Sequence, residues 1–125
     1  MYEVSVRKSF SAAHTLKIGG KCETLHGHNF LVEVTVSAGE LDREELVIDF
    51  RLLKKWTSEI LEELDHKYLN ELPLFRDINP TSENIARIIY KNIKEKTDKK
   101  DVSIEQVTVW ESESSRATYR SGEKW

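Results

Sequence analysis

The chain has 125 residues, 38% of them hydrophobic and 33% charged, with a formal net charge of −3, four histidines and one cysteine. That length fits one domain, 1–125. No apolar run approaches the ~20 residues of a membrane span, and the amino terminus lacks the layout of a signal peptide, so a cytoplasmic protein is expected. A lone cysteine excludes an intramolecular disulfide, and the lack of a basic stripe with interleaved aromatics argues against nucleic acid as a partner.

Tyr2 to Ser9 alternate, with Tyr2, Val4 and Val6 on one face and Glu3, Ser5 and Arg7 on the other, as in a half-buried strand. Phe10-Ser11-Ala12-Ala13-His14 reads as a strand ending on a histidine, with two alanines leaving room beside it. Leu16 to Lys21 contains Gly19-Gly20 and reads as a flexible loop. Cys22-Glu23-Thr24-Leu25-His26-Gly27-His28 then packs a thiol, a carboxylate and two imidazoles around one glycine. If His26 to Phe30 begins a strand, its period of two points His26 and His28 to the same face. Phe30, Val32, Val34 and Val36 continue that face, while Leu31, Glu33, Thr35 and Ser37 take the other.

Gly39 ends the strand, Leu41 to Glu45 is a polar connection, and Leu46 to Asp49 is a short extended run with Asp49 as a helix N-cap. Phe50, Leu52, Leu53, Trp56, Ile60, Leu61 and Leu64 follow the spacing of an amphipathic helix that delivers Asp65-His66 at its far end. Tyr68-Leu69-Asn70 turns the chain and Leu72 to Ile78 is loop. Asn79-Pro80-Thr81-Ser82-Glu83 is a helix start, capped by Thr81 or Ser82, and Ile85, Ile88, Ile89 and Ile93 form the buried stripe that follows. Val102 to Glu111 is a strand with Val107, Val109 and Glu111 on one parity and Gln106, Thr108 and Trp110 on the other. After a turn, Arg116 to Arg120 is the last strand. The order strand, strand, helix, helix, strand, strand predicts an α+β fold, two helices covering one face of an antiparallel sheet whose open edges can pair between subunits.

His14, His26 and His28 make three neutral imidazole donors, a set that suits Zn²⁺ and leaves one coordination position open. A lone histidine is most often structural, but this protein keeps all four of its histidines in these motifs and in Asp65-His66. Cys22 is near enough to be a ligand, equally able to face a bound substrate as base or nucleophile, and otherwise a small core residue. Asp65-His66 is either a charge pair at the helix end or a proton relay to Cys22. Consecutive residues do not face each other within a helix, so a relay requires the pair to sit where the helix frays. Glu111 either receives an amidine-like edge through two hydrogen bonds or is a solvated carboxylate.

Phe10-Ser11-Ala12-Ala13-His14, Cys22 with His26-Gly27-His28, Asp49-Phe50, Leu64-Asp65-His66 with Leu69-Asn70, Asn79-Pro80-Thr81-Ser82-Glu83-Asn84 and Glu111 together resemble the 6-pyruvoyltetrahydropterin synthase and 6-carboxytetrahydropterin synthase family, in order and over nearly the whole sequence. The resemblance implies a tunnelling fold, a four-stranded antiparallel sheet with two helices on one side that trimerises into a barrel, two trimers stacking as a homohexamer. It implies a zinc lyase acting on the small molecule 7,8-dihydroneopterin triphosphate, with His14, His26 and His28 as ligands and Glu111 anchoring the pterin. Cys22 would accept a proton, Asp65 and His66 would be its relay partners, and the sites would lie between subunits. Charge alone suggests Lys21, Arg116 or Arg120 for the triphosphate.

Three residues separate Cys22 from His26, a short spacing that resembles the 6-carboxy-5,6,7,8-tetrahydropterin synthases of queuosine-type deazapurine biosynthesis. Glu23, three positions before His26, resembles instead a folate branch forming 6-hydroxymethyl-7,8-dihydropterin, in which a glutamate usually replaces the thiol. Both are present here. A different class of reading is a non-catalytic zinc- or pterin-binding module, which would close the metal site with Cys22 as fourth ligand.

Overall fold

Two 13-residue strands, β1 (Tyr2–His14) and β4 (His26–Ala38), form the centre of the sheet because most of their even-numbered side chains are apolar, Lys8 and the histidines excepted. In the computed structural model, which describes residues 1–121, they pair antiparallel from Tyr2 opposite Ala38 to His14 opposite His26. The last four residues of the expected domain lie outside the described residues. In this register even numbers face even numbers. Val6, Phe10, Ala12, Phe30, Val32, Val34 and Val36 therefore share one buried face. The other face carries a polar ladder: Ser5 to Thr35 at 2.8 Å, Arg7 to Glu33 at 3.1 Å and Ser11 to Asn29 at 2.6 Å.

Between these strands, β2 (Lys17–Ile18) and β3 (Lys21–Cys22) form a small separate hairpin. Gly19-Gly20 is a tight two-residue turn, not the flexible loop expected: φ is +62° and +79°, the left-handed pair that matches hairpin twist and that glycine adopts at little cost. Helix α1 (Phe50–Glu62) starts on Asp49, whose side chain accepts from the Arg51 N–H. The preceding residues Leu46 to Asp49 bend and form no strand, and Val47 and Ile48 are buried. Phe50, expected in the buried stripe, is 50% exposed; as the first residue of the helix it lies ahead of the part that packs on the sheet, while Leu53, Trp56, Ile60 and Leu61 are buried.

The helix ends before Asp65-His66, which fall in a turn ahead of β5 (Lys67–Tyr68), a two-residue strand parallel to β1. The expected loop Leu72 to Ile78 contains a 3₁₀ turn, Pro73–Phe75, that buries Phe75. Helix α2 (Ser82–Thr97) is capped by Thr81, and Ile85, Ala86, Ile89, Tyr90 and Ile93 are buried. Strands β6 (Ser103–Ser112) and β7 (Ser115–Arg120) complete a sheet of order β5-β1-β4-β6-β7, its four long strands antiparallel. The α+β expectation holds, with the short parallel edge strand added. α1 packs over β1 and α2 over β6 and β7, all on the face that carries the valines. The sheet is open, not closed into a barrel, in the monomer. Among the described residues no helix is long and apolar enough to cross a membrane.

Candidate active site

The even-number parity that builds the core also builds the site. His14 lies opposite His26, and Ala12 lies opposite His28. The three imidazoles consequently emerge on the valine face at one end of the β1–β4 ladder. Their ring centroids are 4.7 Å apart for His14 and His26, 5.2 Å for His14 and His28, and 4.6 Å for His26 and His28. Phe30, fully buried and stacked on Phe10, forms the floor, with its ring edge-on to His14 and to His28 at 5.5 Å. The small methyl of Ala12 leaves room beside His28.

His14 is fully buried, and its Nδ1 lies 2.8 Å from the Pro80 carbonyl oxygen. A carbonyl oxygen can only accept, so Nδ1 carries the proton and neutral Nε2 presents a lone pair. That Nε2 has no hydrogen-bond partner in the protein, although buried polar atoms ordinarily find one. Burial pushes the His14 pKa below its ordinary 6.5, opposed by the Pro80 hydrogen bond, so the ring stays neutral and able to ligate. One nitrogen from each of His14, His26 and His28 falls within 4.8 Å of the others. The donor set therefore fits a divalent ion such as zinc: neutral nitrogens, one of them orphaned, with no fourth protein donor among the described residues that joins the cluster. Glu111, facing the same side from β6, brings Oε1 to 3.2 Å from His28 Nε2, itself 2.8 Å from His26 Nδ1.

Asp65 and His66 meet in the turn after α1, a placement open to either a helix-end charge pair or a relay. His66 adopts φ +58°, donates its backbone N–H to the Ser11 carbonyl, and brings Nδ1 to 3.0 Å from Asp65 Oδ2. Asp65 Oδ1 accepts the Ser11 N–H at 2.9 Å, the chief cause of a pKa below the usual carboxylate range, and the His66 contact adds to it. A carboxylate on Nδ1 leaves the His66 Nε2 edge turned outward on a ring that is 81% exposed. His66 lines a cleft of about 540 Å³ with Ser11, Ala13, Gly27, His28 and Asn29.

Cys22 lies elsewhere. It is exposed on β3, in a groove of about 490 Å³ lined also by Thr15, Lys17, Asn70, Asp77, Ile78 and Asn79. Cys22 and His66 of one chain thus line different clefts. Glu23 follows Cys22 and closes the hairpin through its N–H to the Leu16 carbonyl at 2.8 Å, its side chain exposed. Lys21 is exposed beside the glycine turn. Arg116 sits on the opposite face of the sheet from the imidazoles: paired with Trp110, it lies 5.6 Å from that ring, with Arg7 at 5.1 Å. Arg120 on the same face donates to Gln106. Neither arginine joins the histidine cluster. Asn70, Asn79 and Pro80 stand in the motifs that carry the family resemblance, but the sequence assigns no site role to the two asparagines or to the Pro80 carbonyl.

Residues 3–122 match the family described as 6-pyruvoyl tetrahydropterin synthase. The protein belongs to that family. Its members are enzymes of pterin metabolism, and so is this tetrahydropterin synthase homologue. It is 38% identical, over 94% of both sequences, to an Archaeoglobus fulgidus protein provisionally named 6-carboxy-5,6,7,8-tetrahydropterin synthase. It is 43% identical to the dihydroneopterin monophosphate aldolase of Pyrococcus furiosus, over 84% of this sequence and 85% of that one. Among solved structures, the Caenorhabditis elegans 6-pyruvoyl tetrahydropterin synthase superimposes with a TM-score of 0.83 at 29% identity, covering 97% of this protein and 96% of the other.

Proposed function

We propose that this family member is a zinc-dependent lyase that converts 7,8-dihydroneopterin triphosphate and water to 6-carboxy-5,6,7,8-tetrahydropterin, acetaldehyde and triphosphate, in queuosine-type deazapurine biosynthesis. The observation that carries this is the buried, partnerless Nε2 of His14 converging with His26 and His28 beside Glu111. Zinc held by the three histidines would supply Lewis-acid polarisation of the hydroxyls on the substrate's three-carbon arm, making the adjacent C–H bonds more acidic.

The protein's own groups supply the rest. The Pro80 carbonyl fixes the His14 tautomer from behind, as an acceptor outside the ligand set orients a metal-binding imidazole. Glu111 offers two carboxylate oxygens to the amidine-like edge of the pterin. Cys22 as thiolate accepts a proton from a C–H bond of the substrate's arm, and His66, oriented through Nδ1 by Asp65, passes a proton onward from its outward nitrogen. The arm then breaks between its first and second carbons: the first is oxidised to the carboxylate, the ring is reduced, and the other two leave as acetaldehyde with the triphosphate expelled. Because Cys22 and His66 line separate clefts of one subunit, a complete site would take Cys22 from one subunit and Asp65-His66 from another, in a barrel of three subunits stacked as a hexamer. The polar open face and free sheet edges favour such an assembly. Lys21, Arg116 and Arg120 are the cations proposed for the triphosphate, Lys21 alone standing on the Cys22 hairpin.

A second reading is favoured by two observations: the aldolase name of the Pyrococcus relative, and Glu23 beside Cys22. In it the same bond breaks by retro-aldol cleavage, leaving 6-hydroxymethyl-7,8-dihydropterin and a glycolaldehyde fragment. Zinc-loaded protein incubated with 7,8-dihydroneopterin triphosphate decides the matter by mass: acetaldehyde supports the carboxy-forming reading and phosphorylated glycolaldehyde the aldolase. Zinc retained by Cys22→Ala together with turnover by the parent excludes the structural module.

A further inference from the structure

The segment between the last metal-site residue of β1 and Cys22 is gripped by two carboxamide side chains. Asn70 Oδ1 accepts the Thr15 N–H at 2.8 Å while its Nδ2 donates to the Thr15 carbonyl at 2.7 Å. Asn79 repeats the arrangement two residues on, Oδ1 accepting the Lys17 N–H at 2.8 Å and Nδ2 donating to the Lys17 carbonyl at 2.7 Å. In extended backbone the N–H and C=O of residues i and i+2 point to one edge, so the two carboxamides occupy the place of a missing neighbouring strand. The opposite edge of the segment carries the Cys22 hairpin, with Lys17 paired to Cys22 and the Glu23 N–H on the Leu16 carbonyl.

Asn79 is itself fixed, because its carbonyl accepts from the Thr81 N–H and from Asn84 Nδ2, each at 2.8 Å. The next residue, Pro80, holds His14. One short run at the start of α2 therefore sets both the buried metal-site imidazole and the backbone that carries the thiol. Asn70 grips only the backbone of Thr15, the residue after His14, from the 3₁₀ turn that follows β5, four residues after His66.

We propose that Asn70 and Asn79 are positioning residues: they set where Cys22 and Glu23 stand relative to the histidine cluster, and act on the rate of proton removal without holding metal. The proposal rests on the reading that Cys22 works on a pterin bound at that cluster. A misplacement of about 1 Å in a reacting group can lower a rate on the order of 10²-fold.

The test uses Asn70→Ser and Asn79→Ser in the full-length protein, with three measurements. Zinc stoichiometry stays that of the parent. Turnover of 7,8-dihydroneopterin triphosphate drops about 10- to 100-fold in kcat while KM moves less than about threefold, the split expected when an interaction serving only the reacting group is lost. Amide hydrogen exchange at Thr15 and Lys17 quickens at least about tenfold while that of β1 residues such as Phe10 is unchanged, as expected when a local hydrogen bond alone is lost. Unchanged kcat with quickened exchange, unchanged exchange, or a kcat loss that tracks lost zinc each overturns the proposal. Should the parent itself show no turnover, the functional reading fails on its own account, and with it the positioning role, whatever the exchange data say of the amide clamp.

Discussion

Replacing His14 by leucine separates a residue kept for metal from one kept for packing. Without metal, the wild-type protein buries Nε2 unpaired, which costs about 1–3 kcal/mol, and keeps one hydrogen bond from Nδ1 to Pro80. His14→Leu removes the orphan and gives Phe30 an aliphatic neighbour, but strands the Pro80 carbonyl at a similar cost of about 1–3 kcal/mol. The two effects oppose each other, so the metal-free variant is expected within about 1 kcal/mol of the parent, far from the ~3 kcal/mol or more typical of disrupting a well-satisfied buried group.

With zinc the comparison reverses. At a free concentration near 100 times Kd, binding stabilises the parent by about 2.7 kcal/mol. At roughly 3–5 °C per kcal/mol for a domain of this size, that raises the melting temperature on the order of 10 °C. The variant retains two of three donors and should shift by less than about 3 °C on the same scale. Thermal melts of both proteins with a chelator and with zinc provide the assay. A metal-free variant more than about 3 kcal/mol less stable, or one with an intact zinc response, would refute the orphan-nitrogen reasoning.

The His14 shift also sets a pH dependence. Its folded pKa lies below the ordinary 6.5, so the unfolded protein takes up the proton first; this component of metal-free stability is complete above about pH 6.5, is lost as pH falls through the folded value, and should be missing from His14→Leu in denaturant titrations at pH 5 and 7.5. Cys22→Ser should retain zinc and lower kcat about 10²- to 10⁴-fold, the usual worth of a placed proton acceptor, as read by aldehyde release. Thr81→Ala removes the cap on the Asn84 N–H and should cost about 1 kcal/mol in urea unfolding. Leu64→Ala, fully buried in the turn after α1, should cost about 2–5 kcal/mol by the same measurement.

The alternation of β1, β4 and β6 and the apolar stripes of both helices are legible in the sequence, because each element buries one face and its period appears directly in the order of residues. So is the placement of His26 and His28 with the valines. The hairpin is not, since Gly19-Gly20 signals equally a flexible joint and a left-handed turn until flanking residues are seen to pair. The parallel strand Lys67–Tyr68 is too short for any period, and it is anchored by Ser11 receiving Asp65, 54 residues away, and its neighbour His66. The support behind His14 is illegible for the same reason. A backbone carbonyl carries no residue-specific functional group to read, and 66 residues separate this one from the imidazole it orients.

The site and the core cannot be altered independently, because one register fixes both. Every cross-strand pair of β1 and β4 sums to an even number, so a slip of one residue would turn Val32, Val34 and Val36 toward the open face together with His26 and His28. The valine face packs under both helices, and exposing it would forfeit about 1.5–3 kcal/mol for each large side chain turned outward. The imidazole cluster is thereby held in place by burial free energy that it does not itself supply. Cys22 has no such guarantee, standing on a two-residue hairpin outside the main sheet with an exposed side chain. It follows that variation in the family's product should concentrate on the hairpin and its amide anchors, where a change in thiol or carboxylate position leaves the core untouched.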